Sequence, residues 1–138
     1  MLRLAVDTGA TGTLVNVAAL VAIGYDPALV SDRTQVTTGS GVEFVPRVVV
    51  EKIVAVGQER KNFEVLCHTL PPSAGVDGLL GLDFFRGQSL TLDFRTGRLI
   101  LAQFYSPPRP GRGAIALAKS SRLIFPVTNR SISEGLEG

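Results

Sequence analysis

A chain of 138 residues, 45% of them hydrophobic and 19% charged, is the size of one globular domain and too apolar for a disordered one. One cysteine, Cys67, excludes an intrachain disulfide, and with a single histidine, His68, it excludes a structural zinc site within the chain. The net charge of +2 is uneven, since residues 1–102 hold nine Lys/Arg against ten Asp/Glu, while residues 103–138 hold five against two. The body is therefore near neutral and the tail basic. No Lys/Arg stripe interleaved with aromatics appears, so nucleic acid is not an expected partner. The longest apolar stretch, Leu14–Ile23, is interrupted by Asn16 and falls well short of the ~20 residues of a membrane span. The start, Met1-Leu2-Arg3-Leu4, lacks a signal-peptide layout, and a cytoplasmic location is expected.

Leu2, Leu4 and Val6 alternate with Arg3 and Ala5, which predicts a short strand running into Asp7-Thr8-Gly9. Leu14, Val17, Ala18, Leu20 and Val21 recur at helical spacing before Gly24 and Pro27, predicting a helix over Val15–Ile23. Thr34–Thr38 and Val42–Phe44 flank Gly39-Ser40-Gly41 as a hairpin. Arg47–Val56 and Asn62–Leu66 are further strands, and Pro71–Gly75 is a loop. Gly78–Leu82 reads as a buried strand or turn, with a short helix near Asp83–Arg86. Ser89–Phe94 and Arg98–Ala102 close the series as a hairpin turning at Arg95-Thr96-Gly97. Short strands with little helix imply a mostly antiparallel β-barrel or sandwich. From Ser106 to Gly113 the composition is that of a linker, and the tail, with apolar patches at Ile115–Ala118 and Leu123–Val127, is expected to be poorly ordered or a strap onto a partner.

Chemistry concentrates in two strings. In Ala5-Val6-Asp7-Thr8-Gly9-Ala10-Thr11 a carboxylate emerges from an apolar strand, followed by a hydroxyl and by a glycine that lets the backbone turn tightly. Alone, this reads more readily as a plain Asp-containing turn with Thr capping the coming helix. Further along stands Val76-Asp77-Gly78-Leu79-Leu80-Gly81-Leu82-Asp83-Phe84-Phe85, which alone reads as a core strand capped by glycines. A Ser-His-Asp or Cys-His enzyme would have to use His68, and no nucleophile-elbow sequence accompanies it.

Taken in order over residues 2–102, the Asp-Thr-Gly-Ala-Thr string, the Gly-ended helix, the Gly-tipped hairpin and Gly-Leu-Leu-Gly resemble the retropepsin-like aspartic proteases, specifically their bacterial single-domain members. The resemblance implies a closed antiparallel β-barrel of the retropepsin type, with one or two short helices, over residues 1–102 and a tail over 103–138. It implies that Asp7 is catalytic and that Thr8 hydrogen-bonds across a dyad beside Gly9. Leu80 and Gly81 would be the apolar-Gly pair that crosses behind the catalytic loop. Thr34–Phe44 would be the flap over the substrate, with Thr38, Gly39, Ser40 and Gly41 at its tip. Family members usually carry another strand or hairpin before the Asp-Thr-Gly string, so a shortened start is expected here. An aromatic at the flap tip is also missing.

Peptide hydrolysis by carboxylates needs two of them sharing one proton, one taking a proton from water while the other donates to the carbonyl oxygen. The chain holds one Asp-Thr-Gly and no Asp-Ser-Gly, and Asp77, Asp83 and Asp93 lack the following hydroxyl and glycine, reading as turn or capping residues. The second carboxylate is then expected from Asp7 of another copy, in a twofold homodimer acting on a peptide or protein substrate without metal or cofactor. The alternative is a catalytically inactive dimer of the same build that binds peptides or a protein partner. A rival resemblance, of Asp7-x-Gly9-x-Thr11-x-Thr13 to the first phosphate loop of the actin and sugar-kinase ATPases, would need two large lobes that 138 residues cannot supply.

Overall fold

Alternating apolar residues build a six-stranded mixed sheet in the computed structural model, which describes residues 1–103 and 122–126. The chain divides into two compact units, Met1–Arg86 and a second beginning at Gly87. In the first unit the strands are β1 (Leu4–Val6), β2 (Leu14–Asn16), β3 (Arg33–Thr38), β4 (Gly41–Ala55), β5 (Gln58–His68) and β6 (Gly78–Leu80). Their order is β1-β6-β2-β5-β4-β3. The sheet is a curled half-barrel, and among the described residues β1 and β3 end it, so the closed barrel expected from the sequence is not what these strands form. Nor is the pairing antiparallel throughout: β1 runs parallel to β6, with Val6 opposite Leu80, and β2 parallel to β5, with Leu14 opposite Leu66. The reason is that three short strands from distant parts of the chain converge here, so hairpin logic does not govern their direction.

The helix expected over Val15–Ile23 starts later, as α1 (Val17–Ala22), because Leu14–Asn16 is taken into the sheet between β5 and β6. Asn16 ends the strand with an extended backbone and caps the helix, its side-chain oxygen accepting from Ala18 N at 3.2 Å. At the other end Gly24 N donates to Val21 O and Tyr25 N to Leu20 O, the paired bonds of a Schellman stop. The helix lays Leu20 on the core side of the long β4–β5 hairpin, where Val48, Val50, Val65 and Cys67 alternate inward with Val15. The Tyr25 hydroxyl accepts from Glu51 N at 2.9 Å, tying the helix exit to β4.

Pro46 does not separate two strands, since β4 runs unbroken from the Gly-Ser-Gly tip through Arg47–Ala55. The helix expected near Asp83–Arg86 is instead a run of tight turns, with Phe84 N, Phe85 N and Arg86 N bonding the carbonyls three residues back. In the second unit β7 (Gln88–Asp93) and β8 (Arg98–Gln103) form an antiparallel hairpin with Leu99 and Leu101 buried. Asp93 closes its turn by accepting from Arg95 N, Thr96 N and Thr96 Oγ1, and the Thr96 bonds lead in holding its carboxyl below the usual range. Arg122–Pro126 forms β9 against β8. The expectation of poor order for the rest of the tail lies outside the described residues. No described helix is long and apolar enough to cross a membrane.

Candidate active site

Asp7 sits where β1 leaves the sheet, its N–H donating to Leu80 O at 3.0 Å, so the strand pair fixes where the carboxylate emerges. The chain then folds back on it. Gly9 N donates to Asp7 Oδ1 at 2.9 Å and Ala10 N to Asp7 O at 3.3 Å, which orients one carboxylate oxygen. Thr8 is exposed at the turn. A Cβ on residue 9 would lie 3.2 Å from Asp7 Oδ1, a close fit that glycine avoids.

Behind this loop crosses the Leu80-Gly81 pair. A Cβ at Gly81 would stand 2.5 Å from the carbonyl carbon and oxygen of Gly12, so only glycine allows the two backbones to touch. Gly81 N donates to Thr13 Oγ1 at 3.1 Å, Leu82 N to Ala10 O at 2.9 Å and Asp83 N to Thr11 O at 3.2 Å. The sequence reading missed two residues of this crossing. Thr13, with no solvent exposure, joins Gly81 to Asp83, whose Oδ2 accepts from Thr13 N at 2.9 Å and Oδ1 from Thr13 Oγ1 at 2.7 Å. Asp83 also accepts from Phe84 N at 2.8 Å, so turn capping is only part of its work; it clamps the Asp7–Thr13 loop from behind. The available signal was a hydroxyl, Thr13, leading an apolar run. Asp77 ties β1 to β6, accepting from Arg3 N at 2.7 Å and donating its own N–H to Arg3 O at 2.7 Å.

Asp7, Gly9 and Ala10 open on a cleft of about 920 Å³ that residues 34–39 also line. Of its lining residues, Thr34, Val36, Arg47 and Leu66 share one face of the sheet. Thr34 lies opposite Val45 and Val36 opposite Glu43, and across β4 Arg47 lies opposite Leu66, so these residues occupy one face. Leu14, Leu66, Leu70 and Leu79 give the cleft apolar lining. Arg47 reaches Asp32 and Glu64 at 3.8 Å each, and His68 Nδ1 reaches Glu43 at 3.4 Å. These pairs are half-exposed and contribute little to stability. On the opposite face Val42 and Phe44 are left 57% and 65% exposed, an apolar outer side to the hairpin.

The hairpin tip is fastened by its own hydroxyls. Thr38 Oγ1 meets Ser40 Oγ at 2.9 Å, accepts from Ser40 N at 3.3 Å and lies 3.2 Å from Gly41 O. Gly41 has φ +131°, a conformation that side chains resist, whereas Gly39 adopts no such angle. The structure thus brings Asp7, Gly9, Leu80 and Gly81 into one crossing and sets Thr38 and Gly39 on the cleft.

The family model for aspartyl proteases matches residues 1–84, from before the Asp-Thr-Gly string through the Gly81 crossing. The chain belongs to the aspartyl protease family. Among solved structures it is similar to a retropepsin-like aspartic protease from Rickettsia conorii, at 21% identity and a TM-score of 0.47 over 64% of each chain. This chain therefore spans less than two thirds of the length of that protease. No curated protein matches it. For an aspartyl protease the matched segment holds both halves of the crossing, the acid-bearing loop and the apolar-Gly pair, together with the hairpin between them.

Proposed function

We propose that the chain is an aspartic endopeptidase acting as a twofold homodimer, with residues 1–102 as the catalytic domain and one Asp7 from each subunit at the axis. The observation that carries this reading is the oriented Asp7 carboxylate, held by Gly9 N–H and lining a cleft that the β3 edge also lines. One Asp7 takes a proton from water as the water oxygen attacks the peptide carbonyl carbon, while the other donates a proton to the carbonyl oxygen. The C–N bond then breaks as the leaving nitrogen is protonated and the dyad returns to its shared-proton state. Thr8 acts across the dyad between the two loops. The β3–β4 hairpin is the flap, and its edge strand β3 takes the substrate backbone as an added strand. Leu14, Leu66 and Leu79 favour apolar side chains beside the scissile bond.

Cleavage of a peptide library at pH 4–7 tests this. Pepstatin-sensitive cleavage that Asp7→Asn lowers by at least about 100-fold is expected. Equal cleavage by that variant removes Asp7 from the mechanism. Saturable peptide binding without cleavage by either form replaces the enzyme by a binding module.

A further inference from the structure

Arg60 lies on β5, far in sequence from both strings, and its side chain is spent on a single carbonyl. Its Nη2 and Nε donate to Phe84 O at 2.9 and 3.2 Å, and its guanidinium stands 5.6 Å from the centre of the Phe84 ring. Phe84 has no solvent exposure and packs edge-on against Phe63 and Phe85. A planar fork donating twice while covering a ring is a task a lysine cannot repeat.

We infer that Arg60 is a positioning residue for the catalytic loop, acting through the Gly81–Arg86 turn. The connections are continuous. Arg60 fixes the Phe84 carbonyl, and Phe84 N donates to Asp83 Oδ1 at 2.8 Å. The Asp83 carboxylate holds Thr13 by both its N–H and its hydroxyl, and that hydroxyl accepts from Gly81 N at 3.1 Å. Next in chain, Leu80 O takes the Asp7 N–H. Release of the fork lets the turn drift, and the carboxylate that has to meet its partner drifts with it. Hydrolysis is sensitive to such displacement because the reacting groups must be aligned within a fraction of an ångström.

The turnover arm of the test rests on the protease reading above, and a second arm does not. Arg60→Gln and Arg60→Lys are each measured alone and in an Asp83→Asn background, at a temperature where all remain folded. Arg60→Gln is expected to lower kcat by roughly tenfold with KM within about twofold, and Arg60→Lys to recover part of the loss. In the Asp83→Asn background the same change should lower kcat by less than about twofold, because the path is already cut. Unchanged kcat, a KM effect alone, or a full additional loss in that background overturns the inference. Amide hydrogen exchange is the independent arm: residues 7–13 should exchange faster in Arg60→Gln while residues 41–55 do not. Equal exchange at 7–13 overturns the inference. If the wild-type chain cleaves nothing, the protease reading fails by itself and the exchange arm alone decides. If Arg60→Gln does not fold, Arg60→Lys carries both arms.

Discussion

The loop at Asp7–Thr13 is bonded to residues about seventy positions away, through Asp83, Gly81 and Leu80, whereas the hairpin tip at Thr38–Gly41 is bonded to itself. The first arrangement leaves the carboxylate few ways to move. The second would let the tip keep its shape if it moves as a unit. The proposed peptidase chemistry needs both, since the acid must be placed in advance and a cover must open for product to leave.

Substitutions at the crossing should have the largest effect. Gly81→Ala puts a methyl into the Gly12 carbonyl and should cost ~3 kcal/mol or more, read as loss of the cooperative melting transition. Retained melting would mean that the two backbones separate easily, and the contrast with the flap would shrink. Thr13→Val keeps the shape but leaves Gly81 N–H and the Asp83 carboxylate short of a partner; about 2 kcal/mol of stability should go, with a drop in turnover. A variant as stable as the parent by denaturant titration would show that the clamp is redundant.

Flap substitutions should separate activity from stability. Gly41→Val forces a side chain onto φ +131° and should cut turnover severely at a stability cost of only ~1–2 kcal/mol. Gly39→Val meets neither a positive φ nor a neighbouring atom within 4 Å, and should fold normally with a milder loss of turnover. Equal effects at the two positions would argue against tip shape as the requirement.

The smallest effect should be at Cys67, buried on β5 one residue before the cleft-lining His68. Burial pushes its thiol above the ordinary value, partly offset by a backbone hydrogen bond from Val48, so the reactive thiolate is scarce. Alkylation at neutral pH should be slow in the folded protein and become fast only on unfolding. Rapid labelling under native conditions would mean that β5 opens too, and that motion is not confined to the hairpin tip.

Local strings carried much of this into the sequence. Asp-Thr-Gly and Gly-Leu-Leu-Gly are legible because each is contiguous, and the hairpin because Gly-Ser-Gly separates two β-prone arms. Leu14–Asn16 was not legible as a strand, since its apolar spacing continues that of α1 and only β5 and β6, arriving from elsewhere, claim it. The parallel pairs were hidden for the same reason. Val42–Phe44 and Arg47–Val56 read as separate segments, yet β4 passes through Pro46, which lies opposite Arg33 at the start of the edge strand. The Asp83 clamp was missed because its partner Thr13 is 70 positions earlier, and a lone carboxylate in a turn reads as a cap.

The proposed activity needs a carboxylate pair supplied by two chains, and dilution tests that most directly. Specific activity measured across protein concentration, beside sedimentation equilibrium on the same samples, should fall together with the dimer fraction. Excess Asp7→Asn chain should poison the wild type by forming mixed dimers. Activity per chain that stays constant while the protein sediments as a monomer would contradict a shared dyad.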